Sequence, residues 1–174
     1  MDALPFDPLV AGWFRQAFAG ATPAQEAGWA AIGRGEDTLI AAPTGSGKTL
    51  AAFLSAIDGL VRRAQENRLP EGTCVLYVSP LKALGNDIGK NLELPLAGIR
   101  QRAEEAGLSL DDIRVAVRSG DTPASQRQAM LRKPPHILIT TPESLYILLT
   151  AVKSRQILRH VESVIVDEVH AICG

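Results

Sequence analysis

No apolar stretch in this chain approaches the ~20 residues that a membrane-spanning helix needs. The amino terminus carries Asp2, Asp7, Pro5 and Pro8 and does not read as a secretory signal. Cysteine is scarce: Cys74 and Cys173 have no metal-ligand spacing, and Cys74, opening a predicted strand, reads as a small core residue. Charge of one sign is also lacking. A formal net charge of −1 gives no global basic field to draw in nucleic acid. The local basic spots, Arg62-Arg63, Arg132-Lys133 and Lys153 with Arg155, read as solvated helix faces. There is no internal repeat, low-complexity tract or linker. What remains is a soluble, cytoplasmic protein of 174 residues, 46% hydrophobic and 21% charged, with enough chain to bury a core.

Strand-like runs lie at Thr38–Ala41, Cys74–Ser79, Ile113–Val117, His136–Thr140 and Ser163–Asp167. Most are continuously apolar and β-branched, as in strands covered on both faces. Helical spacing separates them. After a glycine loop, Leu50, Phe53, Leu54, Ile57, Leu60 and Val61 fall on one helix face, and further helices are expected over about 81–92, 95–106 and 143–152. Two amino-terminal helices, about 8–18 and 23–32, precede the first strand. Alternation of strand and helix predicts an α/β fold with a parallel sheet and right-handed crossovers, a single domain over 1–174.

Two segments carry chemistry. The first is Ala42-Pro-Thr-Gly-Ser-Gly-Lys-Thr49. Gly45 and Gly47 permit backbone that turns successive N–H groups toward phosphate oxygens, the following helix adds its positive end, and the loop residues Pro43, Thr44, Gly45, Ser46 and Gly47 are candidate nucleotide-binding residues. Lys48 would reach the β- and γ-phosphates of ATP and Thr49 would ligate Mg²⁺. The second is Asp167-Glu-Val-His170, at the end of the apolar run Val164–Val166. Asp167 would hold Mg²⁺ through its water shell and Glu168 would orient and deprotonate an attacking water. A strand, a phosphate loop, a helix and a downstream acidic strand end make up a P-loop NTPase with ATP and Mg²⁺ as ligands. A transporter ATPase or small-molecule kinase is a poorer fit, since no Leu-Ser-Gly-Gly-Gln-like signature occurs.

The Asp-Glu-Val-His box resembles that of superfamily 2 DEAD/DEAH-box-like helicases, and further helicase motifs follow in order. Thr22-Pro-Ala-Gln25 looks like the Q-motif that reads adenine, where the Gln25 amide pairs with the base's donor and acceptor edge. An aromatic upstream, Phe6, Phe14 or Phe18, would pack on the ring, although Phe14 and Phe18 could equally be helix core. Tyr77–Leu84, with Pro80, Leu81 and Lys82, looks like motif Ia. Arg118-Ser-Gly-Asp-Thr-Pro123 supplies Arg118 and Gly120 to the next strand-end loop. Thr140-Thr-Pro-Glu-Ser-Leu145, with Thr141, Pro142 and Glu143, looks like motif Ib. These loop strings are closest to the Lhr (large helicase-related) group. The resemblance implies the first RecA-like domain of a DNA helicase, a parallel-sheet, three-layer fold. Backbone phosphates would be held by Lys82, Arg118 and the hydroxyls of Thr140 and Thr141, or Arg118 would pair with Asp121. It further implies ATP hydrolysis stimulated by DNA, 3′-to-5′ translocation and a role in repair, with a second RecA-like domain as partner and His170 coupling the two. An RNA or RNA–DNA hybrid substrate stays open, as does a fragment that binds nucleotide without turnover. The family's motif III strand would lie between Thr38–Ala41 and Ser163–Asp167. The chain stops before motif III, so these two segments are expected to lack a partner or to pair directly.

Overall fold

The computed structural model describes residues 4–43, 45–80, 89–110 and 112–169. The chain divides into two compact units, Met1–Asn67 with Asn86–Asp111, and Arg68–Gly85 with Asp112–Gly174.

The first unit is helical. Helix α1 (Pro8–Ala17) starts where Asp7 accepts from the Leu9 N–H and Pro8 pre-sets the first turn. Helix α2 (Pro23–Gly33) opens with a capping box: the Thr22 hydroxyl accepts from Gln25 N, and the Gln25 side chain accepts from Thr22 N. Helix α3 (Lys48–Gln65) buries Leu50, Phe53, Leu54, Ile57, Leu60 and Val61, the face its periodicity predicts. Arg62 closes an i,i+4 ion pair with Asp58 at 2.7 Å, so this basic spot belongs to the helix surface. The last helix begins as a π-turn over Gly89–Glu93 and continues as α4 (Leu94–Glu105). Pro95 has no N–H to close the ladder at that junction. Glycines let α1 and α4 approach: a Cβ on Gly98 would run into the Trp13 indole, and one on Gly12 into the Arg102 guanidinium.

The second unit is a parallel sheet in the order β2-β3-β1-β4, with β1 (Val75–Val78), β2 (Val115–Arg118), β3 (Ile137–Thr140) and β4 (Ser163–Val166). On one face Leu76, Val78 and Leu138 pack with Met130, Leu148 and Ile157. Those three come from α5 (Ala124–Arg132), α6 (Pro142–Thr150) and a 3₁₀ turn over Gln156–His160 that follows the short α7 (Val152–Arg155). The α/β class and parallel sheet expected from the sequence are those observed.

Three expectations need correction or qualification. Thr38–Ala41 forms no strand, and Leu39 there is 83% exposed. A β-branched run is a strand only when a ladder satisfies its backbone, and this one takes part in none among the described residues. Coverage on both faces, expected of most strands, is found in two of the four. The central β1 and β3 are buried throughout, whereas β4, paired only with β1 among the described residues, leaves Val164 and Val166 exposed. Helix α5 was not foreseen, because Ala124–Arg132 buries only Met130 and so shows almost no periodicity. The helix expected over 81–92 falls largely outside the described residues.

Candidate nucleotide and nucleic-acid site

The phosphate loop lies in the first unit. Gly45 and Gly47 take φ values of +83° and +80°, a region closed to most L-residues. Gly47 is also the amino-terminal cap of α3, with no side-chain cap hydrogen bond, so the positive end of the helix meets the loop without a capping side chain. The Ser46 hydroxyl oxygen is buried and has no hydrogen-bond partner among the described residues. The Lys48 ammonium rests on the Ala42 carbonyl at 3.4 Å. An orphaned hydroxyl, uncapped helix N–H groups and a lysine folded over its own loop fit a polyphosphate.

The amino-terminal motif grips this loop directly. The Thr22 hydroxyl donates to the Ser46 carbonyl at 2.9 Å, and the Gln25 amide donates to the Gly47 carbonyl at 3.3 Å. A side chain on Gly47 would collide with that amide. Gln25 is buried, with its carbonyl oxygen on Thr22 N at 2.9 Å. Each end of the amide keeps one further hydrogen-bonding position for a base. Among the aromatic candidates, Phe14 is enclosed by Trp29 and Phe18 and is core, while Phe18 is 42% exposed and Phe6 meets Trp29 edge-on at 4.9 Å. Trp29 itself donates to the Ala51 carbonyl of α3 at 3.0 Å.

The acidic strand end lies in the second unit. Asp167 is buried and follows β4. One carboxylate oxygen accepts from the Glu168 N–H at 2.9 Å and the other from the Tyr77 hydroxyl at 2.8 Å. Glu168 takes φ +51°, which turns the chain sharply out of the strand direction. No group of three His, Cys, Asp or Glu side chains is placed to hold a metal among the described residues. The Asp167 carboxylate is a hard oxygen donor of the kind that suits Mg²⁺, which takes few protein ligands and completes its shell with water and phosphate.

The strand-end loops of the sheet hold basic and hydroxyl groups. Arg118 is only 6% exposed, and burial and the neighbouring Arg127 both lower its pKa. No ion pair with Asp121 forms among the described residues, so a buried guanidinium ends β2 without an acid. Arg127, not singled out from the sequence, reaches back to the Thr122 carbonyl through Nε and the Gly120 carbonyl through Nη2, both at 2.7 Å. The two threonine hydroxyls are engaged inside the protein. Thr140 donates to the Arg118 carbonyl at 2.8 Å, and Thr141 caps α6 by accepting from Ser144 N. The exposed Glu143 in that first turn has its pKa lowered by its own backbone N–H and by the Thr141 hydroxyl. Pro80 and Gly120 follow strand ends, and Pro142 opens α6. Thr44, Leu81, Lys82 and His170 lie outside the described residues. Tyr77 entered the sequence reading only as the start of the motif Ia string; its bond to Asp167 was not foreseen, and its signal was a phenol in an otherwise aliphatic strand.

Comparison with known proteins adds to this geometry. The sequence model described as DEAD/DEAH box helicase matches residues 22–174. The chain is 57% identical over 169 residues to the Lhr helicase/probable uracil glycosylase of Mycolicibacterium smegmatis, covering 97% of the chain and 11% of that protein. It is 52% identical over 160 residues to the ATP-dependent helicase Lhr-Core of Methanocaldococcus jannaschii, covering 92% of the chain and 19% of that protein. The solved structure of Mycobacterium smegmatis helicase Lhr bound to ssDNA and AMP-PNP superposes with a TM-score of 0.87 at 56% identity, covering 96% of the chain and 21% of that structure. The chain thus spans about a tenth to a fifth of the relatives it matches.

Proposed function

Since the chain belongs to the DEAD/DEAH box helicase family, we propose that it is the ATP-binding first RecA-like domain of an Lhr-type DNA helicase. Hydrolysis would be stimulated by DNA and would drive translocation along a single strand, 3′-to-5′ unwinding and a role in repair. A second RecA-like domain, the expected partner, would close over the nucleotide. The observation that carries this reading is the phosphate loop: two left-handed glycines, an α3 amino terminus without a side-chain cap, and a buried Ser46 hydroxyl with no partner among the described residues.

Loop and helix N–H groups would bind the phosphate oxygens of ATP, with Lys48 neutralising charge on the β- and γ-phosphates. Thr49 and Asp167 would hold Mg²⁺, which when bound supplies further charge neutralisation at those phosphates. Glu168 would orient the attacking water and take its proton. Thr22 and Gln25 hold the loop in shape, and Gln25 would offer its remaining amide positions to adenine. Buried with no acid paired to it among the described residues, Arg118 would take a backbone phosphate of the strand, together with Lys82 and the N–H groups around Thr140 and Thr141. DNA is favoured over RNA because the solved Lhr relative is bound to ssDNA. Cytoplasmic localisation goes with this reading, and no helix among the described residues is long and apolar enough to cross a membrane.

The test is a pair of variants in the intact protein. Lys48→Ala should abolish ATP hydrolysis, by losing the cation at the phosphates. Glu168→Gln should keep ATP bound, stop turnover and trap a complex with single-stranded DNA. Near-normal turnover in Glu168→Gln would refute its assignment as the base.

A further inference from the structure

Tyr77 is a large buried polar side chain that the nucleotide chemistry above leaves unused. It is fully buried in β1, where its neighbours are Val75, Leu76 and Val78. An aliphatic residue would fill that strand position without needing a hydrogen-bond partner, whereas a buried phenol requires one. Tyr77 finds it in Asp167.

The pairing follows from register. Tyr77 stands opposite Ile165 in the parallel β1–β4 ladder, and Asp167 lies two residues further on, hence on the same face. A diagonal neighbour in a sheet lies about 7–8 Å away, beyond the reach of serine or threonine but within that of a tyrosine. The phenol Oη reaches one Asp167 oxygen at 2.8 Å while the Glu168 N–H holds the other at 2.9 Å. An aspartate carboxylate otherwise swings broadly about its last torsion. With a donor on each oxygen the plane of the carboxylate is fixed.

We propose that Tyr77 is a positioning residue for the divalent-cation site, holding the Asp167 carboxylate in the orientation that receives hydrated Mg²⁺. This rests on the reading of Asp167 as the residue that holds the cation. Partners that orient a metal-binding carboxylate typically contribute at least about tenfold to metal affinity.

The experiment is a Mg²⁺ titration of fluorescent-nucleotide binding by the intact protein, comparing wild type, Tyr77→Phe, Asp167→Asn and the double variant. Phenylalanine keeps the buried ring, and a melting curve checks that the fold is retained. The expected result is a rise of about tenfold in half-saturating Mg²⁺ for Tyr77→Phe, with nucleotide affinity in EDTA unchanged. Adding Tyr77→Phe to Asp167→Asn should then shift the Mg²⁺ dependence no further. A wild-type Mg²⁺ curve in Tyr77→Phe overturns the proposal, as does an equal loss with and without Mg²⁺, the mark of a purely structural role. If the wild type itself shows no Mg²⁺-dependent step, the reading of Asp167 falls and the role of Tyr77 with it.

Discussion

Replacing Thr22 with valine tests whether the turn before α2 shapes the phosphate loop. Valine keeps the volume and the β-branched preference for the extended backbone found there, φ −80° and ψ 156°. Only the hydroxyl is lost. That hydroxyl accepts from Gln25 N at 3.3 Å and donates to the Ser46 carbonyl at 2.9 Å. Loss of a helix cap costs about 1 kcal/mol, and the long cap bond places this one at or below that value. Leaving the part-buried Ser46 carbonyl without its donor costs about 1 kcal/mol more. Together, about 2 kcal/mol corresponds to a fall of roughly 4–8 °C in melting temperature for a domain of this size. If the Ser46 bond also pre-organises the loop, ATP affinity should weaken by about fivefold to tenfold, since about 1 kcal/mol must then be supplied on binding. Thr22→Ser keeps both bonds and should stay within about 0.5 kcal/mol of wild type.

The assay pairs thermal or urea melts with equilibrium binding of a fluorescent ATP analogue. Gln25→Ala, singly and combined with Thr22→Val, completes a cycle. Because both residues hold adjacent loop carbonyls and bond each other, their effects should couple by at least about 0.5 kcal/mol. Strict additivity would refute the idea of one shared clamp. A Thr22→Val protein that melts and binds like wild type would refute the energetics outright.

The parts of the fold that were legible from sequence are those where one chemical requirement overrides context. Helix α3 was readable because six buried apolar residues recur at its period. The central strands β1 and β3 were readable because burial on both faces makes them uniformly apolar. Thr38–Ala41 has the same composition yet forms no strand, since a strand also needs a ladder partner and composition cannot supply one. Helix α5 was hidden for the converse reason: it lies on the surface and buries one side chain. In the site, the glycines at 45 and 47 announced their left-handed backbone, since few other residues adopt it. What the sequence left unread is the internal use of polar groups. Gln25, Thr140 and Thr141 were read as facing ligands, yet each already bonds the protein's own backbone. Arg127 was passed over and Tyr77 was read only as the start of a loop string, yet they hold a loop and an acid in place. Such contacts depend on distances across the fold, which neither spacing nor composition encodes.

Four further outcomes are expected. Gly98→Ala should lower stability by about 1–3 kcal/mol, because its Cβ meets the rigid Trp13 indole, and Gly12→Ala should cost less, because it meets the mobile head of Arg102; equal melting temperatures for the two would contradict this. Arg118→Gln should weaken single-stranded DNA binding alike for all sequences and flatten its salt dependence by about one unit of log–log slope. In the same assay Arg127→Ala should weaken binding by loosening the 118–123 loop; full recovery in Arg127→Lys would show that charge alone, not the fork onto two carbonyls, is at work. Finally, stability should fall on mild acidification through His136. Burial and the nearby Arg114 hold its imidazole pKa below the usual value, against the weaker opposing pull of Glu71, the Pro70 carbonyl and Asp112. Its Nδ1 accepts from Arg114 N at 3.1 Å, a bond that protonation at that nitrogen would break. The unfolded chain takes up its proton near pH ~6.5 and the folded chain only at lower pH. In that window the unfolded state binds more protons, so stability drops as pH falls below about 6.5 and stays reduced beneath the folded pKa. His136→Asn keeps an acceptor but cannot titrate, and it should flatten the change in melting temperature between about pH 7.5 and 5.5. A slope that persists in His136→Asn would assign that pH dependence to other groups.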